Sequence, residues 1–285
     1  MRFITSFAAI FFAFMVATAV ACPSQLRVAG DRIFVPIEIN GVKTEALLDS
    51  GAEMTLIDAG FARRISLVTA GSEIARGTGG TEEVRFAQSV DIEAAGAKLY
   101  GITVAVLDLS DISERLVGEP VNAVVGRELF DSGRFFLDIN HGKFCITEDL
   151  AEPQGVRLTL REHKGIMQVP VTIESLESVY ADFDLGNGSE VLIGRSYALQ
   201  NQWLDSDRIV GTKMGGGIGG AVSQELIELE TLTIAGVSIP AVIAAIDSTE
   251  DAPAANIGVA ILRNFVMIID FSDKAVWFTA IESTK

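Results

Sequence analysis

The feature that most constrains this 285-residue chain is that it repeats itself. "VPIEI" at 35–39 returns as "VPVTI" at 169–173, an offset of 134. "VVGRELFDSGRFFLDINHGKFCIT", starting at Val124, returns as "NIGVAILRNFVMIIDFSDKAVWFT", starting at Asn256, an offset of 132. Inside the longer match Gly126 meets Gly258, Asp138 meets Asp270, and Phe144-Cys145-Ile146 meets Val276-Trp277-Phe278. Two matches in the same order at nearly equal offsets read as a tandem duplication. The repeat therefore predicts two halves of like architecture, with "EPQG" at 152–155 as a connector.

Within each half the pattern is that of strands. In "RIFVPIEING", Ile33, Val35, Ile37 and Ile39 fall on one face, and Asn40-Gly41 supplies a hairpin turn. Helical patterns are brief, over "DAGFARRISL", "GRELFDSG", "GRSYALQNQWL" and "GVAILRNF". The expected class is all-β with a few short helices, in lobes of about six strands each.

Residues 1–21 are set aside as a leader. "MRFITSFAAIFFAFMVATAVAC" has one basic residue, a long apolar run and small Ala19 and Ala21 before the expected cut. The domain reading is then a signal peptide at 1–21, an N-terminal lobe at 22–151 and a C-terminal lobe at 152–285. A lipoprotein anchored through Cys22 is the second reading and an uncleaved anchor the third; all three place the folded chain outside the cytoplasm, in the periplasm or beyond. The net charge of −16, with no Lys/Arg cluster, argues against nucleic acid and anionic membrane surfaces as partners. Two cysteines are too few for a disulfide framework. Cys145 is expected to be a small buried hydrophobe. A Cys22–Cys145 bridge is the alternative that an oxidising compartment would allow.

The chemistry gathers at an aspartate after an apolar run, Asp49 in "LLDSGA". The repeat carries it to the neighbourhood of residue 183, where Asp182 and Asp184 compete in "YADFDLGNGSEVLIG". Asp184 has Gly186 two residues on, as Asp49 has Gly51, and Leu192-Ile193 follows it as Leu56-Ile57 follows Asp49. Asp184 is therefore the expected partner. Two facing carboxylates suit general acid–base work, because one can hold a proton while the other accepts one.

With both Asp-x-Gly turns placed, the chain resembles the retropepsin-like aspartic proteases, the superfamily of retroviral proteases and pepsin, in a single-chain form with two lobes. "LLDSGA", "KMGGGIGGAV" at 213–222 and "VVGRELF" at 124–130 carry the resemblance, which covers about residues 27–285. It implies two duplicated lobes about a pseudo-twofold axis and a cleft between them. It makes Asp49 and Asp184 the catalytic pair, supported by Ser50, Gly51, Leu185, Gly186, Gly126 and Arg127, with Glu128 in an acidic supporting position. It makes Gly79 and Gly80, and Gly217, Ile218 and Gly219, the tips of two substrate-covering flaps. Glycines suit a tip that offers backbone N–H groups to substrate. It implies peptide or protein substrates and neither metal nor cofactor. Two positions depart from the family pattern. Leu185 stands where a hydroxyl residue is usual, and Val259 stands opposite Arg127. Those departures keep a rival function open, that of a weak or inactive exported peptide-binding protein of the same fold.

Other motifs do not hold up. "GGGIGG" fits Gly-x-Gly-x-x-Gly, but the segment after it mixes periods and ends β-branched, unlike the helix a dinucleotide site needs. "DFDLGNG" lacks the glycine and closing glutamate of a calcium loop. The two histidines, His141 and His163, sit in polar turn-like stretches without the context of a triad or a zinc site.

Overall fold

A computed structural model describes residues 22, 25–147, 153–188, 190–205 and 207–281. The expected leader and the 151/152 boundary lie outside the described residues. The chain is all-β. In the first half, β1 (Arg27–Ala29), β2 (Arg32–Ile39), β3 (Val42–Leu48), β4 (Leu56–Asp58), β5 (Thr69–Gly77), β6 (Gly80–Ala94), β7 (Ala97–Leu107) and β8 (Ala123–Val125) form one sheet. Its order is β1-β2-β3-β8-β4-β7-β6-β5, with β2 also touching β6. After β9 (Arg134–Asp138), β10 (Lys143–Ile146) and β11 (Val156–Thr159), eight more strands follow. These are β12 (Arg161–His163), β13 (Ile166–Ile173), β14 (Val179–Phe183), β15 (Val191–Gly194), β16 (Ile209–Gly215), β17 (Val222–Ile234), β18 (Val237–Asp247) and β19 (Ala255–Ile257). They repeat the same order, β12-β13-β14-β19-β15-β18-β17-β16, with β13 touching β17. Each sheet has eight strands instead of the expected six or so, because the flap arms and a short edge strand join the same ladder.

The remaining strands tie the halves together. With β20 (Phe265–Asp270) and β21 (Ala275–Ala280), they form a five-stranded sheet in the order β10-β9-β20-β21-β11. At its centre β9 of the first half pairs antiparallel with β20 of the second, Phe136 opposite Ile268. One apolar core runs through both halves, with Phe130, Phe135, Phe144, Phe183 and Phe271 in ring contact.

Local chemistry explains the elements. Asn40 and Gly41 both have positive φ, +48° and +82°, as a two-residue hairpin between β2 and β3 requires. Ile33, Val35, Ile37 and Ile39 are all buried on one face of β2. Phe34 is buried on the other face, against Leu47, Leu56, Val84 and Val124, so this strand is covered on both sides. Helices fall where the four brief patterns lie, at Ala59–Arg64, Arg127–Asp131, Arg195–Gln200 and Val259–Leu262. A helical turn at Ser110–Ile112 running into a π turn at Ser113–Val117 was not signalled by any apolar period.

One expectation is overturned. Cys145 is buried, but it is bonded to Cys22 in a disulfide rather than serving as a free hydrophobe. No helix among the described residues is long and apolar enough to cross a membrane.

Candidate active site

Each Asp-x-Gly turn is built in the same way. β3 ends at Leu48, and the Asp49 N–H donates to the Val125 carbonyl of the parallel strand β8 at 3.0 Å. Asp49 Oδ1 then accepts from the backbone N–H groups of Gly51 (2.9 Å) and Ala52 (3.0 Å). In the second half the Asp184 N–H donates to Ile257 of β19 at 3.0 Å, and its Oδ1 accepts from Gly186 (2.8 Å) and Asn187 (3.2 Å). Short polar side chains that accept from their own turn hold such a bend in place. Both carboxylates are thus aimed by backbone, not by flexible side-chain packing.

The turns press against each other. A Cβ added at Gly51 would lie 3.0 Å from Asp184 Cγ, and one at Gly186 only 2.3 Å from Asp49 Cγ. Only glycine lets each carboxyl approach the opposite turn. Burial, and after it the charge of Asp184, push the Asp49 carboxyl well above the ordinary carboxylate range, against the pull of the Gly51 and Ala52 N–H groups.

Ser50 braces this arrangement alone. Its buried Oγ donates to the Phe183 carbonyl at 2.8 Å and accepts from the Leu185 N–H at 3.0 Å, so one hydroxyl reaches both sides of the opposite turn. Leu185 has no hydroxyl to return and is fully buried in the core.

The support of the first turn differs from the expectation in one respect. The Arg127 N–H donates to Ala52 at 2.9 Å. Its guanidinium leaves the turn, pairing with Asp131 and crossing to Glu162 (2.9 Å) and the Gly165 carbonyl (2.8 Å) of the second half. The side chain that holds the first turn is Glu128. It accepts from the Thr55 N–H (2.9 Å) and Oγ1 (3.2 Å), while Thr55 Oγ1 accepts from Gly126 N–H. In the second half the Val259 N–H to Asn187 bond is kept at 2.8 Å, without a carboxylate beneath it.

Three residues enter the site that the sequence reading did not single out. Asn256 Nδ2 donates to Asp184 Oδ2 at 2.7 Å. Its orientation is fixed because Asn256 Oδ1 accepts from Asn187 Nδ2 (2.9 Å), which also donates to the Glu190 carbonyl. The alignment that places Asn256 opposite Val124 contained this signal, an amide where the other half has a methyl. Arg32 is the second; it lies within range of the charges of both Asp49 and Asp184, and burial lowers its pKa from the usual guanidinium value. Arg115 is the third, in the π turn.

The two glycine-rich hairpin tips expected to be flaps, at 77–80 and 216–220, meet each other. The Gly79 N–H donates to the Ile218 carbonyl at 3.0 Å. A Cβ at Gly79 would sit 2.1 Å from the Gly220 carbonyl oxygen, and one at Gly219 2.3 Å from the Gly80 carbonyl carbon, so the crossing leaves no room for side chains. Gly217 flanks Ile218 there. Arg115, paired with Asp111, donates to the carbonyls of Gly215 (2.8 Å) and Gly217 (3.2 Å), which fastens the second flap to the first half. His141 lies exposed beside Asp138, and His163 is exposed on edge strand β12; neither enters the site.

No curated protein matches the chain. Residues 35–129 match the family model described as aspartyl protease, a stretch that holds Asp49, the first flap and Gly126. Over that stretch, which includes the Asp49 turn, the chain is similar to the aspartyl proteases.

Proposed function

We propose that the chain is an aspartic endopeptidase that hydrolyses peptide bonds in the cleft between its halves. The observation that supports this most is the facing pair of Asp-x-Gly turns, each carboxyl held by two backbone donors and seated against the opposite glycine. Asp49 holds a proton, since burial beside a second carboxylate disfavours its ionisation. Asp184 is assigned the base role, since the Asn256 amide donates to its second oxygen. Asp184 takes a proton from a water held between the two. The water oxygen adds to the scissile carbonyl carbon while Asp49 gives its proton to the carbonyl oxygen. The resulting diol collapses as Asp184 returns its proton to the departing nitrogen, the C–N bond breaks, and a diol hydroxyl returns a proton to Asp49. The pair then stands as it began, and titrates as one unit. Extended substrate lies along the cleft and pairs with flap backbone by strand addition.

The decisive assay is cleavage of a peptide library with and without a statine-type inhibitor. Asp49→Asn and Asp184→Asn are each expected to remove nearly all turnover, and the double variant to be little worse than either. Wild-type turnover in Asp184→Asn would end the two-aspartate reading. Peptide binding without turnover in the native protein would instead select the inactive binding protein, the reading that Leu185 and Val259 favour. We place the mature chain in the periplasm or outside the cell, with its new N-terminus at Cys22. A disulfide between Cys22 and Cys145 suits an oxidising compartment. It also occupies the sulfur that a lipid anchor would need. Mass spectrometry of the mature protein should find a non-reduced peptide joining the two; a thioether lipid on Cys22 would overturn this placement.

A further inference from the structure

The two walls of the cleft share a register but not a chemistry. In the first half Phe34 pairs with Leu47, Leu47 with Val124, Val124 with Leu56 and Leu56 with Ala105. In the second, Gln168 pairs with Asp182, Asp182 with Asn256, Asn256 with Leu192 and Leu192 with Ala245. The outer strands continue the match: Arg85 opposite Val106 sets Val84 beside Leu107, and Leu226 opposite Ala245 sets Gln224 beside Asp247. Directly paired residues share a face of the sheet. The first wall is thus the apolar cluster of Phe34, Leu47, Val84, Leu107 and Val124, on which the second flap tip seats Ile218. The second wall offers Gln168, Asp182, Gln224, Asp247 and Asn256 at the same five positions, all buried.

Burying five polar groups is costly unless each finds a partner. Some do. Gln168 donates to Asp182 Oδ1 (2.7 Å) and accepts from Arg161; Asn256 is spent on Asp184 and Asn187; Asp247 Oδ1 accepts from the Thr249 N–H (2.8 Å). Among the described residues, no hydrogen bond reaches Asp182 Oδ2, Asp247 Oδ2 or either end of the Gln224 amide, and since no fully buried side-chain polar atom there lacks a partner, the small exposed area of these residues lies at those atoms. Asp182 lies within range of the charges of both Asp184 and Asp247. The vacant positions are chiefly acceptors, and a side chain that carries several donors and a positive charge would satisfy them.

We propose that this second wall is a subsite for a cationic side chain, lysine or arginine, on one of the two substrate residues flanking the scissile bond. The assignment rests on the endopeptidase reading. The preference is one-sided, because the first wall takes an apolar side chain.

The test uses the mature, disulfide-bonded protein and peptides that differ at a single flanking position, lysine against norleucine, scanned on each side of the bond. Lysine is expected to raise kcat/KM by about tenfold or more on one side only. Asp182→Leu with Asp247→Leu, the residues of the first wall, should bring the ratio to one or below while the norleucine peptide is still cut. Should that pair fail to fold, Asp182→Asn with Asp247→Asn carries the same comparison. Cleavage with no lysine preference overturns the subsite and leaves the endopeptidase reading intact. Absence of any cleavage ends the endopeptidase reading, and the subsite is then read by calorimetry with statine peptides bearing lysine or norleucine. Tighter binding of the lysine form, lost in the double variant, sustains the subsite; equal or undetectable binding overturns it.

Discussion

Asn256 shows how much one side chain can divide two otherwise matched turns. Asp49 and Asp184 receive the same pair of backbone donors, but only Asp184 receives an amide on its second oxygen, because the first half has Val124 at that sheet position. A hydrogen bond to an ionised group contributes about 1.5–3 kcal/mol. Asn256→Val should therefore lower kcat/KM by about tenfold or more. It should also move the acid limb of the pH–rate profile upward, since removing a donor from a carboxylate disfavours its ionised form. A uniform loss with an unmoved limb would reduce Asn256 to a packing role. At this scale the sequence was informative where residue type sufficed. Gly186 separated Asp184 from Asp182, and Ser50 and Leu185 could be read as an unequal brace. It was silent on where long side chains point. Arg127 looks like part of the dyad's support, yet its guanidinium crosses to Glu162, and Glu128 does the holding.

At the scale of elements, strand alternation and glycine-rich runs identified the sheets and the hairpin tips, since a period of two and φ-permissive tips are local properties. The turn at 110–117 is different. "SDISERLV" has no apolar stripe, and its shape depends on what it touches. What it touches is the second flap, through Arg115 and the carbonyls of Gly215 and Gly217. A flap must open to admit a peptide and close to exclude water. Arg115→Met keeps most of the side-chain length but removes the donors. Amide exchange at residues 215–221 should speed up severalfold, and KM should rise more than kcat falls. Unchanged exchange there would show that the interflap contact of Gly79 with Ile218 holds the tip closed unaided.

Across the whole molecule, stability and the proposed chemistry pull against each other through protons. Asp49 titrates above its ordinary range in the folded chain, and burial raises Asp182 to about 6. A carboxyl with a raised folded pKa makes the native state bind more protons than the unfolded chain. Stability then falls as pH rises from the unfolded value, about 4, through the folded one, and is flat on either side. The net charge of −16 acts in the same direction, because self-repulsion grows as the remaining carboxyls ionise. Carboxylates held low by partners, such as Asp111 beside Arg115, oppose this below the ordinary range, though they are exposed and screened. The thermal midpoint should therefore peak on the acid side of neutrality. Asparagine at 49 imitates the protonated acid at every pH. Asp49→Asn should raise the midpoint at pH 8 by a few degrees, as about 2–4 °C per kcal/mol applies to chains near this size. The gain should shrink as pH is lowered and be nearly gone by about pH 4, where the folded carboxyl is protonated and the unfolded one begins to be. Melting curves for both proteins between pH 4 and 8 provide the measurement. A gain that stays constant across that range would mean that the Asp49 carboxyl carries no excess proton in the native fold, and the acid role assigned to it would fall with that result.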